Sequence, residues 1–161
     1  MIVVSNTSPI MNLAVIGQLN LLERLYGRVF IPEAVIQELS VIKPEEHKLP
    51  IIKIPSWIES RAVKDSPLVH SIAFELDTGE AEAIVLATEL KADLLLIDER
   101  RGRVVSSRMG LKFIGLLGVL IEAKHKGFIV AIKPILDTLI SKAGFWISGQ
   151  LYNKILQTAD E

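Results

Sequence analysis

Short aliphatic runs alternate along this chain with stretches whose apolar positions recur at helical spacing, and turn-forming residues punctuate the two. Ile2-Val3-Val4 is the first run, followed at once by Ser5-Asn6-Thr7-Ser8-Pro9. Ser8 before Pro9 is a helix-start signal, since a side-chain oxygen meets an orphan N–H and proline fits the first helical position. The pattern therefore predicts strand, tight turn and a helix to about Ile16, with Gly17 as its stop. A second short helix is expected over Leu19–Leu25, a strand over Arg28–Ile31, and a helix from Pro32 through about Val41. Lys43–Leu49 reads as a polar connection, and Ile51–Ile54 as an edge strand bracketed by Pro50 and Pro55. Ser56–Phe74 reads as one or two short helices broken at Pro67.

Asp77-Thr78-Gly79-Glu80 opens the clearest helix, which runs to about Leu90. It is apolar almost all round (Ala81, Ala83, Ile84, Val85, Leu86, Ala87, Leu90), as a buried helix is. Asp93–Ile97 is a continuous apolar strand that ends abruptly at Asp98, the signature of a parallel strand buried on both faces. A helix to about Met109, a strand over Lys112–Ile114 and a helix from Gly115 to about Lys126 follow. Two last helices fall near 134–140 and 147–156. Strands alternating with helices predict a single α/β domain over residues 1–161, a three-layer α/β/α sandwich around a mostly parallel sheet.

Composition narrows the chemistry. None of the 161 residues is cysteine, which excludes disulfides, thiolate metal sites and cysteine nucleophiles and fits a reducing cytoplasm. Mean hydropathy is +0.40, yet the longest apolar run, Phe113–Ile121, holds two glycines and is about half of the ~20 residues a membrane span needs. No basic segment precedes Met1-Ile2-Val3-Val4, so no signal peptide is expected. The net charge of −1 hides an asymmetry. Residues 1–98 carry 8 Lys/Arg and 14 Asp/Glu, a balance of −6; residues 99–161 carry 10 and 5, a balance of +5. Arg100, Arg101, Arg103, Arg108 and Lys112 follow directly on Asp98, either as a solvated helix face or as a basic rim beside an acidic pocket.

Ligands of open parallel sheets sit beyond the carboxyl ends of the strands. Asn6 and Asp98 each end a predicted strand there, although Asn6 is also a ready turn-former and Asp98 a ready N-cap. Glu80 and Glu82 open the buried helix, about 200° apart, so the two cannot face one pocket equally. Glu80 also fits a capping-box position with Asp77. Glu38 lies on the Pro32 helix. His47, His70 and His125 are isolated, no phosphate-binding glycine loop or nucleophile elbow occurs, and Trp57, Trp146 and Tyr152 suit packing. The remaining carboxylates and one amide are hard oxygen donors that suit Mg²⁺ or Mn²⁺.

Val3–Ile10, Ile31–Glu38, Gly79–Ile84 and Leu95–Arg100 follow, in order, the motifs of the PIN-domain family, which the chain resembles over almost its whole length. Gly115–Lys124 and Gly144–Ser148 resemble segments of a prokaryotic subfamily of VapC-like toxins, with helices near 134–158 as a family-specific extension. The resemblance implies a metal-dependent ribonuclease that cuts RNA with one or two divalent ions. It places the acidic site on Asn6, Glu38, Glu82 or its neighbour Glu80, and Asp98, with Asn6, Glu38, Glu82 and Asp98 as metal ligands. Thr7 or Ser8 would donate to a phosphate, and Arg100, Arg101 and Arg103 would hold the RNA backbone. The family pattern has aspartate where this chain has Asn6. The missing charge weakens the metal site unless Glu80 or Glu99 restores it, and the alternative is a catalytically weak or inactive module that binds RNA or protein. The toxin resemblance further implies a small antitoxin partner and a homodimer.

Overall fold

The computed structural model describes residues 1–41 and 53–161. In chain order the elements are β1 (Val3–Ser5), α1 (Thr7–Val15), α2 (Asn20–Tyr26), β2 (Val29–Pro32), α3 (Glu33–Val41), β3 (Ile58–Arg61), α4 (Ser66–Ile72), α5 (Thr78–Glu89), β4 (Leu94–Leu96), α6 (Arg100–Arg108), β5 (Phe113–Ile114), α7 (Leu116–His125), α8 (Lys133–Lys142) and α9 (Gly149–Thr158). The five strands form one sheet in the order β3-β2-β1-β4-β5, and every pairing is parallel. This is the expected α/β/α sandwich.

Side-chain alternation along the strands builds the layers. Val3, Val29, Ile31 and Leu96 point into one apolar cluster, shared with Ile10 and Leu13 of α1, Leu21 and Leu22 of α2, Leu120 of α7 and Leu136 of α8. Their neighbours Val4, Leu95 and Ile97 point the other way, against Ile84, Val85 and Leu86 of α5 and Val105 of α6. Each central strand is thus apolar at consecutive positions because both of its faces are covered. α5 is buried nearly all round, as its composition predicts.

Most expected elements are present, with shifted ends. Gly17, expected as a helix stop, and Gly27, which follows α2, both adopt positive φ (71° and 76°), where glycine meets no Cβ penalty. Ser8 is not the cap of α1: Asn6 is extended (φ −78°, ψ 174°), and the helix starts at Thr7. Pro9 then occupies the third helical position, still within the first turn, where its missing N–H leaves no helix bond unmade. Pro32 ends β2 instead of opening α3.

The larger revision concerns residues 53–74. The expected edge strand at 51–54 lies partly outside the described residues, and Lys53 and Ile54 are not in a strand. The edge strand is β3, paired with β2 from Val29↔Ile58 to Pro32↔Arg61, in a segment whose sequence reads as helix. Only Ile58 of β3 is buried, so an edge strand this polar leaves little alternating signal. Pro67 opens a helix instead of breaking one: Asp65 Oδ1 accepts from Leu68 N at 3.1 Å, with the proline in the first turn of α4.

The two-sided core gives a stability expectation. Ile84→Ala, fully buried between α5 and the sheet, is expected to cost about 2–5 kcal/mol in urea unfolding. Val130→Ser, at a side chain 96% exposed, is expected to stay within about 0.5 kcal/mol.

Candidate active site

β1 is the central strand, and the chain builds outward from it to β2 and β3 on one side before returning to β4 and β5 on the other. The gap between the carboxyl ends of β1 and β4 is therefore the sheet's topological switch point, where open α/β folds place ligands. Register Val3↔Leu94, Val4↔Leu95, Ser5↔Leu96 sets Asn6 just past one strand end and Asp98 just past the other. Asn6 N–H continues the ladder to Leu96 O at 3.0 Å, so its backbone is fixed.

The Asn6 side chain is the outlier in this arrangement. The residue is 5% exposed, and its Oδ1 is buried without a hydrogen-bond partner among the described residues. It does not cap α1. A buried amide oxygen left unpaired costs on the order of 1–3 kcal/mol, so this atom marks a place that a ligand would relieve.

Three carboxylates converge on this end of the sheet, from the turn after β4, from α3 and from α5. Asp98 is held by two oxygens: Oδ1 accepts from Leu116 N at 2.7 Å, the first residue of α7, and Oδ2 accepts from Ser8 Oγ at 3.3 Å. Arg103 Nη2 lies 3.9 Å from Asp98 Oδ1, and Arg103 Nε donates to Ile97 O at 3.2 Å. Burial still outweighs these favourable partners and raises the Asp98 carboxyl above the usual aspartate range. Asp98 is therefore not the N-cap of α6; Glu99 is. Gly115 lets both side chains approach closely: a Cβ at that position would meet Arg103 Nη2 and stand 2.8 Å from Asp98 Oδ1, so Arg103 would have to shift.

Glu38 reaches in from α3 and accepts from Thr7 Oγ1. It lies on the first turn of α5, where a Cβ at Gly79 would strike its Oε1. Glu80, one residue on, is 7% exposed and its backbone N–H is capped by Asp77 Oδ1 at 2.8 Å. Burial, the hydrogen bond between its carboxyl and Asp77, and the nearby charges of Glu99 and Glu38 push Glu80 up to about 8. Across from it, a Cβ at Gly102 would strike Ile97 Cδ1 and stand in ordinary contact, 3.5 Å, with Glu80 Oε2.

The expected site residues thus divide. Asn6, Glu38, Glu80 and Asp98 surround the switch point, with Thr7 and Ser8 as their hydrogen-bond donors. Glu82 turns away, as its spacing from Glu80 requires: its Oε1 accepts from Ala34 N at 3.4 Å at the start of α3. It lines a separate pocket of about 360 Å³ with Glu33, Ser66, His70 and Thr78. Arg103 is tied to the site wall, whereas Arg100 and Arg101 are exposed and make no ion pair among the described residues. Among the described residues no three His, Cys, Asp or Glu side chains stand at metal-ligand spacing; Glu38 accepts from Thr7, and Asp98 from Ser8 and Leu116. Sequence reasoning passes over Gly79 and Gly115, whose only signal is that each directly precedes a helix residue of the site.

Glu80 gives this site a pH signature. Its folded-state carboxyl binds a proton more tightly than the unfolded one. Its contribution to stability is therefore whole below the unfolded value of 4.5 and lost as pH rises toward about 8. In metal-free protein, Glu80→Gln is expected to raise stability at pH 8–9 by on the order of 1–2 kcal/mol, or about 3–6 °C, and to change little at pH 5. Thermal unfolding across pH measures this; an equal shift at both pH values contradicts it.

A family model of the PIN domain matches residues 2–161. No curated protein matches the chain. Among the described residues, no helix is long and apolar enough to cross a membrane. With the parallel sheet, the switch-point carboxylates and a family match over nearly its full length, the chain belongs to the PIN-domain family, a nuclease-type fold.

Proposed function

We propose that this protein is a divalent-metal-dependent endoribonuclease. The observation that carries the reading is Asn6 Oδ1, buried without a partner among the described residues at the switch point, one strand over from the end that carries Asp98. Asn6, Glu38, Glu80 and Asp98 would hold Mg²⁺ or Mn²⁺, with Glu80 in place of Glu82, and supply three carboxylates around one amide. Such a donor set fits a hard divalent cation, and the burial and neighbouring carboxylates that raise Glu80 are what a cation would offset. When bound, the ion supplies an activated water and neutralises charge on the phosphate. Thr7 and Ser8 orient Glu38 and Asp98, and either hydroxyl can turn to donate to the phosphate. Arg103 fixes Asp98 against the strand end. Arg100 and Arg101 hold the RNA backbone, which gives affinity without sequence reading.

The same reading takes residues 1–161 as one domain, supported by the packing of Leu136, Leu139 and Ile155 of α8 and α9 into the main core. It also takes the protein as the cytoplasmic toxin of a toxin–antitoxin pair. Exposed Trp146, Ile140 and Leu151 offer apolar surface for an antitoxin or a homodimer.

A second reading has its own observation. Asn6 is neutral, and both Asp98 oxygens are already engaged, which suits a module that binds without cutting. Two variants separate these readings. In an RNA cleavage assay with Mn²⁺, wild type is expected to cut and Asp98→Asn to be slower by about 100-fold or more; equal rates contradict the nuclease reading. Cleavage that appears only in Asn6→Asp favours the binding module.

A further inference from the structure

α6 begins immediately after the acidic site and divides its first turns between two tasks. Gly102 backs onto Glu80 and Arg103 onto Asp98, while Arg100, Arg101 and Val104 face the other way. There they line an open groove of about 530 Å³ with Val105 and with Phe74 and Glu75 of the α4–α5 turn. Phe74 is 92% exposed, an unusual position for a large aromatic ring. Nothing about the turn forces it outward by disorder. Ile72 and Leu76, two residues to either side, are buried at 6% and 8%, and Glu75 is clamped to Arg108 of α6. The ring is therefore held out over the groove by its anchored neighbours.

The charges are equally out of place structurally. Arg100 and Arg101 sit in the first turn of α6, where the helix dipole disfavours cations, and no acidic residue in that turn offsets them. An exposed aromatic face beside two guanidiniums that make no ion pair among the described residues suits an unpaired nucleobase and its flanking phosphates, since bases stack on aromatic rings and arginines track the backbone. A protein segment would need acidic and apolar groups at matched spacing. A nucleic-acid strand brings an anion and a π-face at every step.

We propose that Phe74, Arg100 and Arg101 form a nucleobase subsite beside the catalytic centre: the strand's flanking phosphates lie on the two arginines and one unpaired base stacks on Phe74. This rests on the ribonuclease reading and adds a positioning residue to it, since the shared turn of α6 links the groove to Glu80 and Asp98. The subsite requires a base free to unstack, so duplex RNA does not fill it.

The test is binding of a fluorescein-labelled single-stranded oligoadenylate of about ten nucleotides, with EDTA present so that no cut is made. Phe74→Leu is expected to weaken binding by roughly tenfold, Phe74→Trp to restore it, and 2-aminopurine in the strand to be quenched by wild type but not by Phe74→Leu. Phe74 is exposed, so both variants are expected to unfold at the wild-type temperature. Unchanged affinity in Phe74→Leu overturns the subsite. So does unchanged affinity together with loss of a self-association, which would make the groove a protein interface. The nuclease reading fails separately: wild type that never cuts RNA with Mn²⁺, yet binds it through Phe74, leaves the subsite standing.

Discussion

The parallel pairing of β1 with β4 fixes the position of everything chemical in this protein. Three matched residue pairs bring Asn6 and Asp98 to adjacent strand ends, in the one gap of the sheet where successive crossovers depart in opposite directions. Both strands are buried on both faces, so neither can slip by a residue without turning its apolar side chains to the wrong cluster. The site inherits its precision from that core. Leu116 N–H on Asp98, Thr7 on Glu38 and Asp77 on the backbone of Glu80 then fix the helices that complete it.

The same arrangement carries an electrostatic cost that the fold does not resolve internally. Glu80, buried at the start of α5, lies near Asp77, Glu99 and Glu38, and among the described residues Arg103 is the cation paired at the site, on Asp98. Asn6 removes one negative charge from this crowd but leaves its own oxygen unpaired. On the proposed reading, a cation would answer both problems at once, through a charge for the carboxylates and a partner for the amide. Gly79, Gly102 and Gly115 keep the space open, since a Cβ at each would collide with a neighbouring side chain.

Sequence carried the layered fold well and the site partially. Consecutive apolar positions in β1 and β4, the all-apolar α5 and the glycine stops are local signals, and they survive intact in the structure. β3 escaped because an exposed edge strand with one buried residue has neither the alternation nor the hydrophobicity of its neighbours. Asp98 stands out because it interrupts an aliphatic run at a strand end, and Asn6 because it opens the polar turn just after Ile2-Val3-Val4-Ser5. The split between Glu80 and Glu82 was legible only as an incompatibility, since periodicity separates their directions without saying which one lies near Glu38. That answer needs the packing of α3 across α5, which puts Ala34 N over Glu82 and Glu38 over Gly79. Phe74 was invisible for a related reason: a phenylalanine in an apolar stretch reads as core until its anchored neighbours are seen to turn it outward.

The central claim, that Asn6, Glu38, Glu80 and Asp98 make a divalent-cation site, is tested most directly by calorimetric titration of Mn²⁺ at pH 7 in buffers of different ionisation enthalpy. A carboxyl held near 8 is mostly protonated at that pH and must lose its proton to become a ligand. The account predicts saturable binding with release of close to one proton per ion, and loss of that release in Glu80→Gln. Absence of heat up to millimolar Mn²⁺, or binding with no proton released, would contradict it.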